Sequence, residues 1–280
     1  MNNETDFNKI HETLTIQVEK YIKAILDEYG RYIPPERKVE LNNIKDFNSV
    51  IKIHDYGSIN GYASYEGISM PMSADNVLKK MSKIPGFGTN KNHRSYDETN
   101  LITNNNTFMD YVKHVFISGT TTQEYYEDLL LHETMHFCGS GGAFAIKEGI
   151  NELLTRKIAL KRNFKTSGCG YPKEVAIAYK LQEILGEDII NQIAFIPYQR
   201  DVLKYLESTL GKEYEQLYEG VTMLMEYEFQ DKYYRFMNSY NDTDGMLEKI
   251  KNYEKIDYEK VDLFIKEFEE KNIPSNKFHR

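Results

Sequence analysis

The stretch HETMHFCGSGGAFAIKEGINELLT, residues 132–155, lies at the middle of the chain. Its first five residues follow the pattern HExxH, and the glycine-rich residues 139–142 interrupt a helical pattern that continues on both sides. In a helix, His132 and His136 lie one turn apart on the same face, so both imidazoles can bind one metal ion. The stretch therefore predicts two helices joined by a glycine turn, with a metal site on the first helix.

Zinc is the metal that this pattern favours. Neutral imidazole nitrogens bind zinc at about 2.0–2.1 Å, and a catalytic zinc has three protein ligands and an open position for water. Glu133 adjoins the first histidine and can point at that water as a general base. HExxH arises by chance in a chain of this size on the order of once in a hundred, so the surrounding sequence must supply further support.

The helix predicted after the glycine turn offers a carboxylate as the third ligand. Glu148 and Glu152 are four residues apart and therefore share one face of that helix. Eleven residues separate His136 from Glu148, which is enough for a chain reversal that keeps the carboxylate near the histidines. The spacing leaves both glutamates as candidates. It excludes the metzincin pattern HExxHxxGxxH, because the third-ligand position of that pattern falls on Gly142.

Residues 148–152 read EGINE, and together with the upstream HExxH this segment resembles the gluzincins, in particular the aminopeptidase branch and small uncharacterised bacterial gluzincin-like proteins. The resemblance extends over residues 124–206 and includes GYPKEV at residues 170–175. It implies Glu148 as the third zinc ligand and Glu152 as a residue that supports one of the histidines. It also implies a peptidase that binds one zinc ion.

The same resemblance implies a fold and an oxyanion donor. Gluzincins commonly use a Tyr or His downstream of the ligands, and Tyr171 is the candidate because it follows a glycine-rich turn and precedes a helix start. The implied fold is zincin-like α+β, with a mixed sheet and an active-site helix in residues 1–137 and a mainly helical subdomain in residues 138–280. An edge strand, here residues 111–118, is then expected to pair with an extended peptide.

The pattern along the chain agrees with a mixed α/β N-terminal part and a helical C-terminal part. Apolar residues at helical spacing predict a helix over residues 6–29, and Asn60-Gly61 predicts a hairpin within the strand-like residues 50–72. The other predicted elements are a loop over residues 84–107, a strand over residues 111–118, the motif helix opened by a capping box at residues 121–124, and helices over residues 143–160, 172–185 and 214–237.

Composition limits the classes of partner. The 280 residues are 40% hydrophobic and 28% charged, as in ordinary globular proteins. A net charge of -8 and a pI near 5.5 argue against nucleic acid and anionic membranes as partners. Because the sequence shows no secretory signal and no apolar run of about 18 residues, we expect a cytoplasmic protein, with Cys138 and Cys169 as reduced thiols. The oligomeric state stays open.

Two functions follow from these observations. The first is zinc-dependent hydrolysis of peptide bonds in a peptide or protein substrate by metal-activated water. The alternative is a zinc-containing regulatory module that binds a peptide or protein without turnover. The intact Glu133 favours the first, because a structural zinc needs no general base and usually closes its fourth position with a residue.

Overall fold

The structure of the protein is a computed structural model that describes residues 3–54, 61–71, 122–139, 145–164, 171–239 and 258–272. These residues form nine α-helices and three short strands, an architecture of the broad α+β class that is mostly helical. In chain order the elements are α1 (Asn3–Tyr29), α2 (Pro35–Asn42), a 3-10 turn (Phe47–Ser49), β1 (Ile51–His54), β2 (Tyr62–Ser64), β3 (Gly67–Pro71), α3 (Thr122–Cys138), α4 (Ala145–Arg162), α5 (Pro172–Leu185), α6 (Glu187–Phe195), α7 (Gln199–Thr209), α8 (Lys212–Ser239) and α9 (Tyr258–Asn272).

The helices follow the sequence pattern closely. Helix α1 covers the predicted residues 6–29, and its apolar face is buried through residues such as Val18 and Ile25. Helix α5 begins at Pro172, where the missing N–H is no loss, and ends before Gly186, whose φ of 94° suits glycine. Helices α3, α4 and α8 are likewise present, each within a few residues of its predicted bounds.

The described strands form one small sheet. It has the order β1-β3-β2, with β1 parallel and β2 antiparallel to β3. The predicted hairpin turn at Asn60-Gly61 involves residues 55–60, which lie outside the described residues, and the described strands on either side of it, β1 and β2, are not neighbours. A hairpin joins β2 to β3 through Tyr65 and Glu66, where the Glu66 N–H donates to the Ser64 hydroxyl at 3.2 Å.

Burial explains why β3 takes the centre of the sheet. Its residues Ile68, Ser69 and Met70 are all buried, so both faces of this strand are covered. Strand β2, in contrast, exposes Tyr62 and Ser64 on one face. A strand that is covered on both faces belongs between two others, whereas a half-exposed strand belongs at an edge.

Helix α3 lies at the centre of the described residues. It packs against α1, against strands β2 and β3, and against α4. Residues 130–138 of α3 are all buried, as expected for a helix covered on every side. One hydrophobic core joins residues from both sides of the predicted boundary at residues 137 and 138, and the division into two subdomains stays a prediction.

Several predictions concern parts of the chain that the structure does not describe. These are the loop over residues 84–107, the strand over residues 111–118 and Cys169. Among the helices that the structure does describe, none is both long and apolar enough to cross a membrane.

Candidate metal centre

Helices α3 and α4 bring three potential metal ligands together. Glu148 Oε2 lies 3.1 Å from His132 Nε2 and 3.0 Å from His136 Nε2, and the two Nε2 atoms are 3.1 Å apart. All three side chains are buried. Because the three donor atoms converge on one point, this cluster can bind one metal ion.

The glycine in the EGINE segment allows α5 to pack closely on α4. A Cβ at Gly149 would lie 2.3 Å from the carbonyl oxygen of Glu174, a distance at which the two backbones would have to separate. The buried carboxylate of Glu174 accepts a hydrogen bond from the hydroxyl of Tyr258 in α9. Gly149 therefore fixes the position of α5 beside the ligand Glu148.

Glu152 supports His132 rather than joining the three ligands. The Nδ1–H of His132 donates to Glu152 Oε2 at 2.9 Å, and Arg156 Nε donates to Glu152 Oε1 at 2.8 Å. Burial would raise the pKa of Glu152, but the charge of Arg156 and the hydrogen bond from His132 lower it. Arg156 was not predicted, although its spacing of four residues from Glu152 places both on one helix face.

Asn151 supports His136 and was also not predicted. Its amide lies 2.7 Å from His136 Nδ1, and its Oδ1 has no hydrogen-bond partner. When Nε2 of His136 binds a metal, Nδ1 carries the proton and must donate it. The two ends of an amide have nearly the same shape, so the arrangement that suits a metal-bound His136 has Asn151 Oδ1 facing Nδ1–H.

Glu133, the predicted general base, lies on α3. Its side chain is buried against Gly61, the residue that precedes β2. A Cβ at Gly61 would lie 2.8 Å from Glu133 Cγ and 3.2 Å from both Cδ and Oε1. Burial raises the pKa of Glu133, although the charges of His132 and His136 act in the opposite direction. The backbone of Gly61 thus lies directly against the Glu133 side chain.

Tyr171, the predicted oxyanion donor, lies against the same ligand. Its ring stacks on that of His132 with centroids 5.3 Å apart and an angle of 21° between the planes. Tyr171 is the residue before α5 and has φ 50° and ψ 50°, a left-handed conformation that costs a non-glycine residue about 1–2 kcal/mol. The packing of α5 on α4 therefore holds Tyr171 beside the metal centre in spite of local strain.

The charges at this centre favour a bound cation. Glu133, Glu148 and Glu152 are three buried carboxylates, and Arg156 pairs with Glu152. Burial would raise the pKa of Glu148, but the histidine charges and hydrogen bonds hold it well below its usual range. Burial would lower the pKa of His132, yet its bonds to Glu148 and Glu152 raise it well above the usual value. Negative charge is thus concentrated next to the two imidazoles, which favours a cation at this centre.

The C-terminal end of α3 is tied down next to His136. Arg37 Nη2 donates to the Phe137 carbonyl at 2.6 Å, and the guanidinium lies over the rings of Tyr65 and Phe137 at 4.3 and 4.4 Å. Cys138, the last residue of α3, is fully buried, and this burial raises the pKa of its thiol to about 12. The thiol is therefore protonated and points into the core.

The structure brings together every residue that the sequence singled out for the site: His132, Glu133, His136, Glu148, Glu152 and Tyr171. It adds Asn151, Arg156 and Gly61, which contact members of that set. The geometry shows a buried cluster that can hold a metal ion, and this is what the structure establishes about the site. No protein-family model, curated protein or solved structure matches this chain.

Proposed function

We propose that the protein is a zinc-dependent peptidase in which His132, His136 and Glu148 bind the metal. The observation that carries this proposal is the convergence of the three donor atoms beside a fourth buried side chain, the carboxylate of Glu133. Two imidazoles and one carboxylate form one of the ligand sets of catalytic zinc sites, and an adjacent carboxylate can serve there as the general base.

The spacing of the donors supports zinc as the metal. Ligands at about 2.0–2.1 Å from a tetrahedral ion lie about 3.3–3.4 Å from one another. The donor atoms of His132, His136 and Glu148 are 3.0–3.1 Å apart, so small side-chain movements suffice to receive the ion. Among the described residues, three ligands converge here, which leaves a tetrahedral ion one position for water.

Glu133 is proposed to transfer the proton. Zinc bound at this site supplies a lowered water pKa, toward about 7, and polarises the substrate carbonyl. Glu133 accepts a proton from the attacking water and returns it to the leaving amine. The burial that raises the pKa of Glu133 brings its proton affinity closer to neutral pH, where a group that must both accept and release a proton works best.

The surrounding residues have supporting roles in this proposal. Glu152 and Asn151 orient the two histidines through their Nδ1 atoms, so that both Nε2 atoms face the metal. Tyr171 remains the proposed oxyanion donor, and its stacking on His132 supports this role because it keeps the residue at the site. The proposed substrate is a peptide or a protein.

Metal analysis and one substitution test the proposal. Protein purified without chelators is examined by elemental mass spectrometry and by cleavage of a mixture of fluorogenic peptides. We expect about one zinc per chain, and Glu133→Gln should retain the zinc while lowering turnover by about 10²–10⁴-fold. The exposed Glu183 in α5 provides the matched control, because Glu183→Gln should change neither quantity.

Two results would contradict the proposal. Turnover by Glu133→Gln at the wild-type rate would exclude Glu133 as the base. A stoichiometric zinc site with no cleavage of any peptide or protein tested would instead favour the alternative, a zinc-containing module that binds its partner without turnover.

A further inference from the structure

Gly61 lies directly against the side chain of Glu133. A Cβ at position 61 would approach three successive atoms of that side chain, at 2.8 Å from Cγ and 3.2 Å from Cδ and Oε1. Real Cβ atoms essentially never come within 3.0 Å of another heavy atom. Any residue other than glycine at position 61 therefore forces a shift, either of Glu133 or of the backbone at position 61.

The backbone does not require glycine at this position. Among the described residues, the glycines with positive φ are Gly186 and Gly211, and Gly61 is not one of them. Its conformation is open to any L-amino acid. The space occupied by Glu133 is thus the feature of the structure that explains a glycine here.

The backbone that follows Gly61 is held in place by strand pairing and by packing against the core. Strand β2 begins at the next residue and pairs with the buried central strand β3, with Ala63 opposite Ile68. Alternation along the strand directs Ala63 to the same face as Gly61, toward α3, where Ala63 packs against the core. Because the strand is anchored, a clash at position 61 is relieved by the flexible side chain of Glu133.

We propose that Gly61 is a positioning residue for Glu133: its bare backbone confines the carboxylate next to the metal ligands, and a side chain at position 61 turns that carboxylate away. This inference rests on the proposed function, in which Glu133 is the general base. It predicts that Gly61→Ala impairs proton transfer while leaving the fold and the ligands His132, His136 and Glu148 intact.

The first experiment compares Gly61→Ala with Ser64→Thr, a change at an exposed position on the same strand that keeps the hydroxyl to which the Glu66 N–H donates. Both should bind about one zinc and melt within a few degrees of the wild type. We expect Gly61→Ala to lower kcat at least about tenfold on the fluorogenic peptide that the wild type cleaves, with a shifted acid limb of the pH profile. The Ser64→Thr variant should behave as wild type. Turnover and a pH profile for Gly61→Ala that equal those of Ser64→Thr would overturn the inference.

A second readout needs no turnover. In the protein loaded with cobalt(II) in place of zinc, the visible absorption is followed as a function of pH. Glu133→Gln should shift the titration midpoint, and Gly61→Ala should shift it in the same direction. A midpoint for Gly61→Ala that equals the wild-type value, when Glu133→Gln has moved it, would overturn the role of Gly61.

Double variants isolate the contact itself. Glu133→Ala removes all three atoms that a Cβ at position 61 would meet, so Gly61→Ala/Glu133→Ala should melt at the same temperature as Glu133→Ala alone. In the same way, Gly61→Ala should cause no further loss of turnover when Glu133 is Gln. A full additional loss in either double variant would show that Gly61 acts through another contact.

The two proposals can fail separately. If Glu133→Gln abolishes turnover and Gly61→Ala does not affect it, the peptidase proposal stands and the role of Gly61 is refuted. If Glu133→Gln leaves both turnover and the cobalt titration unchanged, the general base is misassigned, and the positioning role falls with it. The melting temperatures then report only whether the two residues touch.

Discussion

Helix α4 and the strand that follows Gly61 contact the same site in opposite ways. Helix α4 presents buried polar side chains, including Glu148, Asn151, Glu152 and Arg156, and each has a hydrogen-bond partner in the cluster. On the strand side, the backbone of Gly61 lies against the Glu133 side chain and leaves no room for a Cβ. One side fixes the metal ligands through charge and hydrogen bonds, whereas the other fixes the proposed base through shape.

This difference teaches how variants of the two sides should behave. A buried charge that loses its partner is costly, so changes in α4 should weaken metal binding and stability together. A Cβ at Gly61 meets first the side chain of Glu133, so a substitution there should affect turnover more than stability.

Removal of the third ligand should have the largest effect on metal binding. We expect Glu148→Ala to lower zinc affinity by more than about 100-fold, since loss of a supporting partner alone costs about 10–100-fold. Elemental analysis after dialysis against a competing chelator measures this, with Glu183→Gln as the control. If zinc remains bound in Glu148→Ala, Glu148 is not the third ligand, and α4 does not hold the metal in the proposed way.

The two histidine supports should differ in strength. Glu152→Gln removes a charge that pairs with both His132 and the buried Arg156, whereas Asn151→Ala removes a neutral hydrogen bond to His136. We expect affinity losses of about 10–100-fold for the first and about tenfold for the second. Zinc titration against a fluorescent chelator ranks the two variants. Equal losses would show that charge is not what distinguishes the two supports.

Alanine should be tolerated less well at a glycine whose Cβ would meet backbone than at one whose Cβ would meet a side chain. Gly149→Ala should lower the free energy of unfolding by about 1–3 kcal/mol, because the new Cβ meets the Glu174 carbonyl and separates α5 from α4. Thermal and denaturant unfolding, side by side with Gly61→Ala, give the comparison. A Gly149→Ala variant as stable as the wild type would mean that α5 can move away from α4 without loss of stability.

The metal-free protein should depend on pH in a way that the zinc-loaded protein does not. Burial would lower the pKa of His132, but bonds to Glu148 and Glu152 raise it well above 6.5, so its stabilising effect is complete below about pH 6.5 and is lost as pH rises through the folded-state pKa. The lowered pKa of Glu148 stabilises above about pH 4.5 and is lost on acidification. In chelator, melting temperatures should therefore fall between pH 6.5 and 9, and bound zinc should reduce that fall.

The same melting temperature at pH 6.5 and pH 9 in chelator would contradict this reasoning. It would indicate that metal-free His132 does not carry the proton that its bonds to Glu148 and Glu152 imply. A parallel series with Glu152→Gln sharpens the test, because that variant removes one of the two carboxylates that raise the pKa of His132.

The sequence predicted most of the helices because each carries its own local signals. A stop such as Gly30 or a start such as Pro172 acts within one turn of chain, and the structure places α1 and α5 accordingly. The strand order β1-β3-β2 could not be predicted in this way, because it depends on contacts between elements far apart in sequence, and local turn preference does not carry that information.

At the site, the helical repeat is the informative signal, and it extends beyond the predicted ligands. Asn151 follows Glu148 by three residues and Arg156 follows Glu152 by four, so periodicity alone places both near the predicted ligand face. Gly61 could not be found in this way. Its role follows from contact with a residue 72 positions later, which only the folded chain reveals.

The burial of Cys138 makes the alkylation rate of its thiol a measure of local unfolding at the end of α3. Only the thiolate reacts with alkylating reagents, and a fully buried thiol with a pKa of about 12 is protected twice over, by access and by ionisation. In a variant with Cys169 replaced, the rate of alkylation therefore counts the openings of the last turn of α3, the turn that carries His136. A metal that joins His136 to Glu148 should slow this labelling in proportion to its binding strength.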